Sequence, residues 1–154
     1  MSENVTLRAI TDADLMTLFE SYRDPEASAM AGVPIRELDE FLAHRAKTAA
    51  DPSARNRAIV ADGELAGDIV SWVQDDGTRK IGYWIDKRFW GRGFATAGLR
   101  AFLIEVTDRP LYADALKTNA GSIRVLEKCG FRRLRDDELG PDPDPEEYNL
   151  RLDD

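Results

Sequence analysis

Between residues 83 and 96 the chain reads Tyr-Trp-Ile-Asp-Lys-Arg-Phe-Trp-Gly-Arg-Gly-Phe-Ala-Thr, an apolar strand that breaks at two glycines and opens directly into a helix. A strand feeding straight into a helix demands a sheet with a helix packed on it. The join has a chemical consequence as well. A helix start leaves backbone N–H groups without partners and carries a partial positive charge, and glycines beside it let a phosphate approach those donors. Lys87, Arg88 and Arg92 add formal positive charge around this turn. The segment reads either as an anion cradle or as an ordinary turn that needs small residues.

The rest of the chain supplies the other elements. Val5, Leu7 and Ala9 alternate with polar residues as in a strand, and Thr11 can cap a helix with the apolar stripe Leu15, Leu18, Phe19 and Tyr22. Pro25 and residues 32–34 break that helix, and a second helix is predicted over roughly 35–49. Strands follow at 57–61, 64–74 and 80–85, separated by Asp62-Gly63 and Asp75-Asp76-Gly77 turns. The helix after the glycine turn shows Leu99, Phe102, Leu103 and Val106 on one face and stops before Pro110. A central strand at 111–116, a helix at about 120–129 closed by Gly130, and strands at 131–135 and 148–152 complete the order β-α-α-β-β-β-α-β-α-β-β. The reading is one α+β domain over residues 1–154. Its mixed, mostly antiparallel sheet has about seven strands flanked by four helices.

Charge and composition exclude several classes. A net charge of −8 argues against nucleic acid, whose binders need a basic face. No apolar stretch approaches the ~20 residues of a membrane span, and the start Met-Ser-Glu-Asn lacks the regions of a secretion signal. With one cysteine, Cys129, neither an internal disulfide nor a cysteine-rich metal site can form. A cytoplasmic location and no metal are the expectations. Charge is uneven along the chain. Residues 87–100 hold four bases and no acid, whereas 136–147 hold seven acids and no base. The first region suits an anionic ligand; the second suits a cationic one or is a solvated surface.

Two phosphate motifs fail. Ala95-Thr96 stand where a Rossmann turn needs its third glycine, and no P-loop is present. Two segments instead resemble the GNAT acetyltransferase superfamily, within it the branch of ribosomal-protein N-terminal (alanine/serine) acetyltransferases. Trp90-Gly91-Arg92-Gly93-Phe94-Ala95 is similar to the acetyl-CoA motif [Q/R]-x-x-G-x-[G/A], with Trp90 in place of the usual Gln or Arg. Asn119, Ser122 and Val125-Leu126-Glu127-Lys128-Cys129-Gly130-Phe131 resemble the branch's Asn-x-x-Ser-x-x-Val-Leu-Glu-Lys-x-Gly-Phe signature. The element order matches from about residue 5 onward.

The resemblance implies the acyl-CoA N-acyltransferase fold, acetyl-CoA as cosubstrate and direct attack of an amine on the thioester. It implies that the strand at Tyr83, Trp84 and Ile85 splays from its neighbour, so that the pantetheine arm bonds its free edge. The N–H groups from Gly91, Arg92, Gly93, Phe94, Ala95 and Thr96 would then hold the pyrophosphate, with Trp90 beside them and Asn119 on the far side. A backbone N–H near Ile85 would hold the oxyanion. Many relatives place a tyrosine seven residues after the Asn; Leu126 stands there, and the branch's proton donor would be Ser122, which could equally serve the helix start. Asp114, five residues before Asn119, is the leading base, subject to strand parity. Asp68 and Asp86 follow it.

His44 reads as a surface residue and Cys129 as a small buried one. Tyr83, Trp84 and Trp72 line the acceptor pocket or belong to the core. The acceptor is expected to be an amine, a small molecule in preference to a protein N-terminus, and a cationic one if the acidic residues 136–146 draw it in. The alternative is a non-catalytic acyl-CoA-binding sensor or scaffold. Monomer and homodimer both fit.

Overall fold

The computed structural model describes residues 4–154. β1 (Val5–Arg8) leads into α1 (Asp12–Tyr22), where Thr11 and Asp14 cap each other: Thr11 Oγ1 accepts from Asp14 N at 3.2 Å and Asp14 Oδ2 accepts from Thr11 N at 2.8 Å. Pro25 does not merely end this helix. It opens α2 (Pro25–Ala31), with Asp24 as N-cap accepting from Glu26 N at 2.9 Å and Gly32 closing the helix at φ +72°. Proline suits the first helical position because its missing N–H would have no partner there anyway. This is the fifth helix beside the four expected. α3 (Leu38–Ala50) starts three residues later than the pattern suggests, clear of Pro34.

β2 (Arg55–Ala61), β3 (Glu64–Val73) and β4 (Arg79–Ile85) form an antiparallel meander. A short 3₁₀ turn (Lys87–Phe89) and the glycines lead to α4 (Phe94–Glu105), then β5 (Leu111–Leu116), α5 (Ala120–Lys128), β6 (Arg132–Arg133) and β7 (Glu147–Leu152). The seven strands lie in the order β1-β2-β3-β4-β5-β7-β6. β6 shrinks to two residues because it is an edge strand paired only with β7.

One face of the sheet buries Ile59, Ile69, Ile81, Leu111, Ala113 and Leu150 against Leu99 and Phe102 of α4 and Ile123 and Leu126 of α5. Fully burying side chains of this size contributes about 1.5–3 kcal/mol each. On the other face Leu18, Phe19 and Phe41 of α1 and α3 make a smaller cluster. Beside it lies a buried polar group. Asp68 accepts from Tyr22 Oη at 2.9 Å and from Arg45 Nη1 at 2.6 Å, and Arg45 lies over the rings of Tyr22 and Phe41.

Among the described residues β4 and β5 are the only parallel neighbours, and they pair at just two positions, Arg79↔Leu111 and Lys80↔Tyr112. β4 meanwhile stays registered with β3 to its last residue, Gly67 opposite Ile85. That close approach requires glycine: a Cβ at Gly67 would stand 1.9 Å from the Trp84 carbonyl oxygen. The end of β4 is thus held to β3 while β5 departs. Gly67→Ala should force this contact open and lower the thermal unfolding midpoint by the equivalent of about 1–3 kcal/mol, the usual cost of overpacking. An unchanged midpoint would show that β4 relaxes freely there.

Candidate active site

Where β4 and β5 part, the sheet has a gap, and a cleft of about 600 Å³ runs through it. Asp86 N donates to Ala66 O at 2.7 Å, so residues 84, 82 and 80 spend their backbone groups on β3. Antiparallel alternation then turns the N–H and C=O groups of Tyr83 and Ile85 toward the gap. One of these is already satisfied: Trp90 Nε1 donates to Ile85 O at 2.9 Å. Trp90, standing where relatives carry Gln or Arg, therefore ties the glycine turn to the strand before it.

Gly91 and Gly93 sit at φ +76° and +78°, a left-handed conformation that favours glycine. Gly93 is the N-cap of α4 and offers no side-chain cap, so the first-turn N–H groups keep no side-chain partner. Gly91, Gly93, Phe94, Ala95 and Thr96 line the cleft, with Tyr83, Trp84, Ile85 and Trp90 on the same wall. The charges counted in the sequence are mostly spent elsewhere. Lys87 pairs with Glu26 at 2.5 Å, Arg88 with Asp86 at 3.1 Å and Arg92 with Asp62 at 3.1 Å. Arg92 is not among the lining residues; it lies over the Phe94 ring beside a separate pocket. What the turn offers the cleft is backbone N–H groups rather than charged side chains.

β5, α5 and α2 form the other walls. Asn119 is the N-cap of α5, its Oδ1 accepting from Ser122 N at 3.1 Å. Ser122 Oγ lies 2.7 Å from Tyr83 Oη, and burial pushes the Tyr83 phenol up to about 12, opposed in part by the Ser122 bond. Strand parity is settled by β5. Leu111, Ala113 and Ala115 enter the core against α4 and α5, whereas Asp114 lies on the opposite face with Lys80 and Asn149. Lys80 Nζ stands 2.5 Å from Asp114 Oδ2, and Asn149 Nδ2 donates to Asp114 Oδ1 at 2.6 Å. Both Ser122 and Asp114 line the cleft, one from each face of the sheet.

The other acids have structural partners. Asp68 is buried with Arg45 and Tyr22, and Asp86 caps the 3₁₀ turn by accepting from Arg88 N at 2.9 Å. Trp84 stacks on Tyr22 with centroids 4.0 Å apart and donates Nε1 to Ser21 Oγ at 2.8 Å. Trp72 packs 3.7 Å from the Cβ position of Gly82 and is not among the lining residues. His44 is exposed on α3, and the half-buried Cys129 thiol is pushed up by burial. Sequence reasoning missed the α2 wall of Ala27, Met30 and Ala31, which the Asp24-Pro25 pair could have signalled as an N-cap followed by its first helical residue. It also missed Gly67 and Lys80.

A mixed sheet split at one parallel junction, with a glycine turn at a helix start facing the split, defines an acyl-CoA N-acyltransferase fold. The sequence matches the acetyltransferase (GNAT) domain over residues 4–132, and the chain belongs to that family of N-acetyltransferases. Solved structures agree on the fold. An acetyltransferase from Agrobacterium tumefaciens superposes with a TM-score of 0.81 at 20% identity, covering 100% of this chain and 93% of that one. The aminoglycoside acetyltransferase AAC(6')-Ib, solved in complex with coenzyme A, gives 0.78 at 22% identity over 97% and 94%. The spermidine N-acetyltransferase of Vibrio cholerae, in complex with CoA and spermine, gives 0.77 at 17% identity over 97% and 94%. No curated protein matches the sequence.

The space around the glycine turn separates two effects. A Cβ on Gly93 would meet nothing within 4 Å, so substitution there acts through backbone conformation alone. Gly93→Ala should cost about 1–2 kcal/mol of left-handed strain and weaken acetyl-CoA binding in calorimetry by about tenfold or more. Arg92→Ala, which removes an exposed pair, should change it by less than about threefold. The reverse ranking would make the side-chain charge, not the backbone, the source of affinity.

Proposed function

We propose that this protein uses acetyl-CoA to acetylate a small amine, in preference to a protein N-terminus, and that the acceptor is cationic. The observation that carries the reading is the β4–β5 gap, with backbone donors at one end and Ser122 and Asp114 on its two faces. Bound there, acetyl-CoA would supply an activated acetyl thioester to the incoming amine.

The chain's own groups divide the remaining work. N–H groups of the Gly91–Thr96 turn would hold the pyrophosphate, and the free edge at Tyr83 would bond the arm as an added strand does. Trp84, Trp90 and Asn119 line its path. The Ile85 N–H, turned into the gap, would donate to the acetyl oxygen as charge develops on it. An ordinary ammonium has pKa ~10.4, so freeing its amine near pH 7 costs roughly 4–5 kcal/mol. Asp114 keeps lone pairs beyond its Lys80 and Asn149 bonds and would receive the acceptor. Its part would be to hold the ammonium and pass the proton to water.

Support for a cationic acceptor comes from the acids beside this mouth. Glu147 is pushed up by burial and by Asp114 and Asp144, a site that gains from a cation. Asp144 and Glu146 belong to the same loop, while Glu138 is spent on Arg132 and Arg151. Spermine and kanamycin, bound in two of the neighbouring structures, are themselves cationic polyamines.

A screen of amines and peptides for acetyl-CoA-dependent release of free thiol tests the reading. Release with a small cationic amine is expected, falling about 10²–10⁴-fold in Asp114→Ala or Ser122→Ala. Tight acetyl-CoA binding with no release by any amine would favour the sensor or scaffold. Changing Asp142, Asp144, Glu146 and Glu147 together to amides should raise the acceptor KM at low salt, and raising the salt should shrink the difference. An unchanged KM would remove the loop from acceptor capture.

A further inference from the structure

Formal charges in the cleft are few, and they lie on opposite faces of the sheet. Among the described residues Asp114 is its one lining acid, and its only lining cations are Arg124 and Lys128 of α5. With Gly121 and Val125 they fall at helical spacing, so one stripe of α5 is turned to the cleft. Both cations are exposed, and among the described residues neither meets a carboxylate. Glu127, the one acid on α5, is paired with Arg133 at 3.4 Å. The end of the stripe lies beside the start of α4. Cys129 Sγ, one residue past Lys128, stands 3.9 Å from Thr96 O, and Arg100 Nη2 reaches Lys128 O at 3.5 Å. The bases of the glycine turn itself are spent on Glu26, Asp86 and Asp62, whereas these two are not. Lys128 also answers the carbonyls at its helix end, but Arg124, in mid-helix, has no such use.

We propose that Arg124 and Lys128 form a phosphomonoester subsite that takes the 3′-phosphate of the coenzyme. The donor is then a thioester of intact coenzyme A, not of a dephosphorylated or pantetheine-only carrier. This rests on the reading that coenzyme A occupies the cleft with its pyrophosphate at the Gly91–Thr96 turn. The 3′-phosphate is borne on the same ribose as the 5′-pyrophosphate, so a pyrophosphate held at the start of α4 carries it to the neighbouring helix. A phosphate monoester has a second pKa of about 6 and holds close to two negative charges at neutral pH. Two unpaired cations match that charge. Arg124 offers a planar fork to two of its oxygens, and Lys128 adds a point charge. The subsite also orients the ligand, drawing its doubly charged end to α5 and away from Asp114 on the other face.

The test compares coenzyme A with 3′-dephospho-coenzyme A in calorimetry at low salt and about pH 7.5, where the monoester is mostly a dianion. The two probes differ only in that phosphate, so a general effect on the cleft cancels in their affinity ratio. The unmodified protein should bind coenzyme A about tenfold or more tightly, as hydrogen bonds between charged groups give. Raising the salt should shrink the preference. Arg124→Gln should lose most of it, and Arg124→Lys, which keeps the charge but not the fork, should retain part. Lys128→Gln should lose about threefold, and the Arg124→Gln/Lys128→Gln double variant should bind both probes alike. Affinity for the dephospho form should stay unchanged throughout. Arg55→Gln removes the same charge from β2 and should leave the ratio as it was. A double variant with the unmodified ratio, or an equal loss in Arg55→Gln, overturns the inference. So does an unmodified protein that binds both probes equally, which would leave the acetyltransferase reading standing. Failure of the unmodified protein to bind either probe would instead overturn that reading.

Discussion

Among the described residues β4 and β5 pair as strands at only two positions, and the rest of the molecule is arranged around the place where that pairing stops. An unpaired backbone group inside a protein costs free energy unless something answers it. The fold answers part of the demand itself, through the Trp90 indole on Ile85 O, and leaves the rest open. Gly67 lets β4 lie tight on β3, α4 and α5 cover one face, and α2 walls the other. Each of these keeps the gap from closing by ordinary strand pairing.

Electrostatics along the gap follow a different logic from the formal charges. The basic residues of the glycine turn are neutralised by Glu26, Asp86 and Asp62, so affinity for an anion falls to oriented N–H groups. At the other end of the gap, beside Glu147, the opposite holds. Glu147, Asp114 and Asp144 crowd one another, and Lys80 offsets only part of their charge. The gap thus runs from a neutralised end at the glycine turn to an acid-rich end beside Glu147.

Much of this was legible in the sequence where local chemistry decides. Thr11, the Asp62-Gly63 turn, Gly91 and Gly93 act through their own backbone, so residue type alone announced them. The order of strands and helices followed from periodicity, and the strand–turn–helix segment marked one wall of the cleft. What stayed hidden depends on neighbours distant in the chain. Gly67 matters because of the Trp84 carbonyl, and although Asp114 and Tyr83 were named from the sequence, their partners Lys80, Asn149 and Ser122 were not tied to them there. Pro25 was misjudged for a smaller reason: proline both stops and starts helices, and only the preceding Asp24 tells which.

The open edge of β4 has a consequence beyond binding. A strand edge exposed to solvent invites pairing with other chains, but this one faces into a cleft between its own helices. A ligand laid along it completes the sheet from inside, and anything that binds only the folded state adds RT ln(1 + [L]/Kd) to its stability. The resistance of the chain to unfolding and proteolysis then rises and falls with the supply of that ligand. The gap makes the lifetime of the protein a gauge of its donor.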